Sequence, residues 1–173
     1  MSRAIGAALS DLRGRLTAAG IENPAREARL IMAAALGVGQ ARVSLMQPDP
    51  LPDSAEDTLA QLAARRCGRA PLSHILGLRA IYEHEFRVTR DVLDPRPETD
   101  VLVRAALAVP FDRLLDLGTG SGGSLLSLLA ARDGAQGAGT DMSQAALSVA
   151  EANAASLGLA DRTRFATSDW FAQ

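Results

Sequence analysis

The chain has 173 residues, 18 of them basic and 20 acidic, for a formal net charge of -2, and 47% of it is apolar. That balance excludes nucleic-acid binding by bulk charge, leaving only local patches, and a charged fraction of 22% beside ordinary apolar content excludes compositional disorder. No apolar run reaches the roughly 18 residues of a membrane span. The first residues lack a signal peptide's apolar stretch and carry Asp11, so a cytoplasmic protein is expected. One cysteine, Cys67, excludes an internal disulfide and any cysteine-built zinc site. All 18 basic residues are arginine, so Schiff-base chemistry and the lysine of a phosphate-binding P-loop are absent.

Residues 1–70 read as helical. Ile5, Leu9, Leu12 and Leu16 form an amphipathic stripe that Gly20 ends. Asn23-Pro24 is an N-cap followed by proline at the first helical position, and Ala28, Ile31, Met32, Ala35 and Leu36 mark the buried face up to Gly37. A short helical turn is expected over residues 41–46. Pro48, Pro50 and Pro52 then break the chain, and Asp53 with Glu56 has capping-box spacing for a helix through Leu59, Leu62 and Ala63 to Gly68. Residues 71–96 change character: Ile75, Leu76, Ile81, Phe86 and Val88 stand among polar neighbours, which predicts a β-hairpin linker bent at Glu83-His84. In Asp94-Pro95-Arg96-Pro97-Glu98-Thr99-Asp100 the prolines bar helix until Pro97 starts one through Val101, Leu102, Ala105 and Ala106.

From Phe111 the pattern alternates. A strand over 113–117 leads to the glycine loop Gly118-Thr119-Gly120-Ser121-Gly122-Gly123, and a helix carries Leu125, Leu126, Leu128 and Leu129. A glycine-rich second strand over 136–140 ends at Asp141. Ser143 caps the next helix, and a third strand over 163–167 runs into Asp169-Trp170. The fold class is α/β: a small N-terminal helical bundle (1–70), a hairpin linker (71–96) and a partial domain (97–173) holding βαβαβ, half of a Rossmann-like doubly wound sheet. Ligands of such sheets bind at the carboxyl ends of the strands, where the glycine loop, Asp141 and Asp169-Trp170 all fall.

Gly118, Gly120 and Gly123 satisfy the dinucleotide spacing, and Asp141 lies 23 residues past Gly118. Asp116 argues for a different ligand. Its carboxylate at the end of the first strand repels a diphosphate, since two like charges about 4 Å apart interact by about 4 kcal/mol near a protein surface. It attracts a ligand bearing an ammonium and a sulfonium, such as S-adenosylmethionine. Gly118, Thr119, Gly120, Ser121 and Gly122 then admit the ligand's methionine and ribose. Asp141 accepts from the ribose hydroxyls, Trp170 stacks on adenine, and Asp169 accepts from its amine. No residue is assigned a catalytic, metal-binding or substrate-binding role. His74 and His84 stand apart from any metal-ligand pattern, Cys67 reads as a structural thiol, and Arg65, Arg66 and Arg69 form either a solvated helix end or a contact to RNA or an acidic partner.

Pro95-Arg96-Pro97-Glu98-Thr99-Asp100, Leu115-Asp116-Leu117-Gly118-Thr119-Gly120-Ser121-Gly122, Asp141-Met142-Ser143 with Ala146-Leu147, and Asp169-Trp170 together resemble the release-factor glutamine methyltransferases of the HemK/PrmC family. Arg69-Ala70-Pro71, Ile75-Leu76-Gly77 and Phe86-Arg87-Val88 are similar to the family's connecting hairpin. The resemblance implies S-adenosylmethionine-dependent methylation of the side-chain amide of the Gly-Gly-Gln glutamine in class I peptide chain release factors, with the helical domain docking the substrate. The family's Asn-Pro-Pro-Tyr motif, which holds the substrate amide, does not occur among these residues, where Asn23-Pro24-Ala25 is the one Asn-Pro. Asp94 and Asp100 also depart from the family's usual residues. The expectation is a truncated form, inactive by itself, with at best weak cofactor binding and an open sheet edge. Three other readings stay open: a ribosomal-protein glutamine methyltransferase, a nicotinamide-dependent oxidoreductase fragment, and a non-catalytic module docking on a release factor or the ribosome.

Overall fold

The computed structural model describes residues 3–171, which divide into two compact units at the Leu76–Gly77 boundary. The first unit is helical: α1 (Ile5–Ala18), α2 (Pro24–Leu36), α3 (Gln40–Leu45), α4 (Asp53–Cys67) and α5 (Leu72–Leu76). Ile5, Leu12, Leu16, Ile31, Met32, Val43, Leu51 and Leu59 are buried together in its core, each large side chain contributing about 1.5–3 kcal/mol by leaving water. Gly20 (φ 69°) and Gly37 (φ 64°) end α1 and α2 in the left-handed region that glycine enters without strain.

Three local expectations change. Asp53 and Glu56 form no capping box: Pro52 occupies the N-cap position of α4 without a side-chain bond, and Glu56 pairs with Arg3 at 2.9 Å. Ile75 and Leu76 are not strand residues but the end of α5, a turn of helix whose His74 carbonyl accepts from Arg65 Nη2 at 3.0 Å. The arginines at the end of α4 are engaged within the unit. Arg66 clasps the Glu27 carboxylate of α2 through Nε and Nη2 and donates from Nη1 to the Ala70 carbonyl, and Arg69 donates to the Gly20 carbonyl.

The second unit opens with the antiparallel hairpin β1 (Leu78–Ile81) and β2 (His84–Arg87). Its turn is at Tyr82-Glu83, one residue earlier than expected. Tyr82 has φ 54°, a conformation bulky residues seldom hold. Two groups of α6 (Glu98–Leu107) retain it: Asp100 Oδ1 accepts from the Tyr82 amide at 2.8 Å, and the Arg104 guanidinium lies 5.0 Å from the Tyr82 ring centroid. Phe86, fully buried, joins the hairpin to the core of this unit with Ile81, Leu125, Leu126 and Leu129.

β3 (Arg113–Leu117), α7 (Gly123–Ala130), β4 (Gln136–Asp141), α8 (Gln144–Ser156), a 3-10 turn (Ala160–Arg162) and β5 (Thr163–Thr167) complete the unit. The strands form a parallel sheet in the order β3-β4-β5, with Asp116 beside Gly139 and Leu117 beside Thr140. The glycines that make β4 a poor strand former have a packing cause. A Cβ on Gly137 would come 2.5 Å from Leu125 Cδ1 of α7, and one on Gly139 would come 2.9 Å from the Phe165 ring. β3 stands at one edge of the sheet, and Leu115 on it is 51% exposed. Among the described residues no helix is long and apolar enough to cross a membrane.

Candidate cofactor site

The carboxyl ends of the three strands converge on the turn after β3. Gly118 (φ 74°), Gly120 (φ 54°) and Gly122 (φ 78°) alternate in the left-handed region, so the backbone reverses within five residues and enters α7. β4 anchors this loop. The Thr140 carbonyl accepts from the amides of both Gly118 and Thr119 at 2.8 Å. Asp141 Oδ2 accepts from the Gly120 amide at 3.0 Å, and Oδ1 from the Ser143 amide at 2.9 Å. The Asp141 carboxylate thereby ties the loop to the start of α8, which Ser143 caps by accepting from the Ala146 amide. Each carboxylate oxygen keeps a further lone pair for a ligand hydroxyl.

The glycines differ in what they leave beside them. A Cβ on Gly118 or Gly120 would meet nothing within 4 Å, whereas one on Gly122 would come 3.0 Å from Leu126 Cδ1 and 3.2 Å from Ala150 Cβ. The first two leave open space along the backbone; the third closes the loop onto α7 and α8.

A cleft of about 180 Å³ lies here, lined by Gly118, Asp141, Met142, Ser168, Asp169 and Trp170. Of the residues expected at the site, Gly118, Asp141, Asp169 and Trp170 meet in it. Trp170 is 69% exposed and has φ 53°, and its carbonyl accepts from Ser168 Oγ at 3.0 Å. Thr119, Gly120, Ser121 and Gly122 do not line the cleft: Thr119 and Ser121 are buried, the Gly120 amide is turned to Asp141, and Gly122 is packed as described. Asp116 also lies outside the lining; its Oδ2 accepts from Thr119 Oγ1 at 2.8 Å, so the carboxyl faces the loop that follows it. Ser168 was not singled out by sequence, and Met142 was quoted only within a motif and given no role, although each flanks an acid assigned to the site. No arginine lines the cleft, and acids are its only charged side chains. Among the described residues no group of three or more His, Cys, Asp or Glu is placed to hold a metal ion.

Burial pushes the Asp116 carboxyl above the ordinary aspartate range, and the neighbouring Asp141 charge pushes the same way, while the Thr119 hydroxyl and the Leu125 amide oppose them. An acid whose folded pKa is raised binds its proton better in the native state. Its contribution to stability is therefore greatest at acid pH and falls as pH rises from the ordinary aspartate value through the folded one. Asp116→Asn keeps an acceptor for Thr119 without the charge. It is expected to unfold at a higher temperature than the parent at pH 7.5, with the gain shrinking towards pH 4. An equal gain at both pH values in parallel melts would contradict this.

A strand–glycine loop–helix unit and an acid at the end of the next strand, over a parallel sheet, give the second unit a Rossmann-like fold with an acid-lined cleft at its sheet edge. Residues 110–172 match the model of a methyltransferase domain, and residues 7–77 match that of the PrmC N-terminal domain. The chain is 51% identical over 158 residues to a release factor glutamine methyltransferase of Cereibacter sphaeroides, covering 91% of this chain and 57% of that protein. It is 45% identical to one of Rhodospirillum rubrum, covering 91% and 50%. A solved SAM-dependent methyltransferase from Geobacter sulfurreducens, in complex with S-adenosyl-L-homocysteine, is 38% identical over 50% of this chain and 33% of that one, with a TM-score of 0.38. The chain is thus similar to release factor glutamine methyltransferases along nearly its whole length, and spans about half the length of these curated relatives.

Proposed function

We propose that the cleft holds S-adenosylmethionine and that the protein to which these residues belong methylates the side-chain amide of the Gly-Gly-Gln glutamine in class I release factors. The observation that carries the cofactor reading is the cleft's charge. Its ionisable lining is Asp141 and Asp169 alone, with Asp116 behind the loop, which suits a ligand carrying an ammonium and a sulfonium; Asp141 serves the ribose of either cofactor, so the weight against a diphosphate rests on Asp116. The residues present fit the group. The open backbone at Gly118, which lines the cleft, admits it closely, and Asp141 has lone pairs for ribose hydroxyls. Exposed Trp170 offers a face for the adenine, and Asp169 an acceptor for the adenine amine.

The group supplies an electrophilic methyl when bound. An amide nitrogen is a weak nucleophile because its lone pair is delocalised, so the protein's contribution is orientation and the placing of acceptors around the amide NH2. Gly118, held by the rest of the loop, and Asp141 serve by fixing the donor's position. The residues that would hold the amide in this family, Asn-Pro-Pro-Tyr, are not among residues 1–173. These residues by themselves are accordingly proposed to bind the cofactor weakly and to transfer no methyl group. The helical unit, with its PrmC-type N-terminal domain, is assigned the docking of the release factor.

Incubation of purified residues 1–173 with a class I release factor and methyl-labelled S-adenosylmethionine tests this. No glutamine methylation above background is expected, and incorporation at the Gly-Gly-Gln glutamine would show that these residues hold the amide without that motif.

A further inference from the structure

α8 turns a face of small and apolar residues into the core, among them Ala146, Leu147, Ala150 and Ala154, and one carboxamide lies within it. Asn153 is 2% exposed. Its Oδ1 accepts from the Arg87 amide at 2.8 Å, and its Nδ2 donates to the Arg87 carbonyl at 3.0 Å, so it bonds Arg87 as a neighbouring strand would. Nδ2 also donates to the Ser121 carbonyl at 2.8 Å. One side chain thus grips the end of β2 and the middle of the glycine loop, 66 and 32 residues away in sequence.

The loop's other anchors, the Thr140 carbonyl and the Asp141 carboxylate, come from β4 and accept from loop amides. Asn153 supplies the complementary hold, a donor to a loop carbonyl, from a different element. A carboxamide suits the place because it combines two N–H donors with an acceptor. Leucine, similar in shape, leaves the Arg87 amide, the Arg87 carbonyl and the Ser121 carbonyl without this partner in a buried place. Aspartate keeps the acceptor but turns a second oxygen towards two carbonyls.

We infer that Asn153 is a positioning residue for the cofactor loop: it fixes the Ser121 peptide, and with it the alternating glycine turn, and locks that turn to the β1–β2 hairpin. Its consequence for cofactor binding rests on the reading of the cleft as the S-adenosylmethionine site.

The test compares the parent with Asn153→Leu, Asn153→Asp and Val103→Ala. Val103 is a buried residue of α6 that makes none of these bonds, and its truncation lowers stability by a cavity alone. Amide exchange is followed by NMR at Gly118, Thr119, Gly120 and Gly122, all donors of hydrogen bonds in the loop. Exchange is measured at equal distance below each variant's melting temperature, and S-adenosylmethionine affinity by calorimetry. At least tenfold faster exchange at these four amides is expected in the Asn153 variants and parent-like exchange in Val103→Ala, with at least a tenfold loss of affinity in the former only. Where the leucine variant fails to fold, the aspartate variant carries the comparison. Loop exchange in the Asn153 variants no faster than in Val103→Ala overturns the positioning role whatever the ligand. Faster loop exchange in a protein that binds no S-adenosylmethionine upholds it and overturns the cofactor reading instead.

Discussion

Gly122→Val is expected to cost about 3–5 kcal/mol in the second unit, a large share of the roughly 5–15 kcal/mol a domain has to lose. Gly122 holds φ 78° at the N-cap of α7. An L side chain there costs about 1–2 kcal/mol from its Cβ alone, and more when branched. The new Cβ would stand 3.0 Å from Leu126 Cδ1 and 3.2 Å from Ala150 Cβ, so α7 and α8 must part, an overpacking penalty of about 1–3 kcal/mol. Gly118→Ala has a similar φ but meets nothing within 4 Å, so it carries the conformational cost alone and its loss stays near 1–2 kcal/mol. Urea unfolding of both variants checks the difference; equal losses would show that the packing at Gly122 contributes nothing.

Arg66→Ala is expected to be the most damaging single charge deletion in the helical unit, about 2–4 kcal/mol. The side chains of Arg66 and Glu27 are 16% and 12% exposed, and the guanidinium bonds both carboxylate oxygens and the Ala70 carbonyl. The hydrogen bond to Glu27 holds the Arg66 guanidinium charged more firmly than usual. Removing it leaves a mostly buried carboxylate uncompensated, the expensive way to break such a pair. Arg66→Lys recovers little, because a point charge cannot reproduce the two-pronged fork. Replacing both partners, Arg66→Met with Glu27→Leu, is expected to return close to parental stability. A denaturation cycle over these variants decides it, and a double variant no better than Arg66→Ala would contradict the pairing argument.

What the sequence disclosed is mostly what short-range chemistry dictates. The glycine turn, the Ser143 cap and the proline at the start of α2 each depend on residues within four positions, and all form where expected. The α/β class and the βαβαβ order followed from alternation of strand and helix patterns. Where distant partners decide, local pattern was insufficient. Glu56 left its expected capping bond for Arg3. The hairpin reading also missed α5, although Leu72, Ile75 and Leu76 stand at helical spacing. Arg65, Arg66 and Arg69 read as a solvated helix end or an outward contact; Arg65 and Arg69 are exposed while also donating to backbone carbonyls within the unit, and Glu27, distant in sequence, draws Arg66 in. At the site, Asp141 and Gly118 were legible because motif spacing places them at strand ends. The Asn153 bonds were not, because they span three elements; the only trace was one polar residue in an apolar helical face. Asp116 was expected to face the ligand, and the structure turns it to Thr119 instead, so any action on the cleft is through its charge and the loop.

The acids at this sheet edge are expected to favour a cationic donor. Calorimetric titration of residues 1–173 with S-adenosylmethionine, S-adenosylhomocysteine and NAD tests it most directly. The sulfonium ligand should bind weakly but more tightly than its neutral thioether counterpart, that preference should diminish in Asp116→Asn, and NAD should give no heat. NAD binding as tight as that of S-adenosylmethionine, or no preference for the charged donor over the neutral one, would contradict the claim.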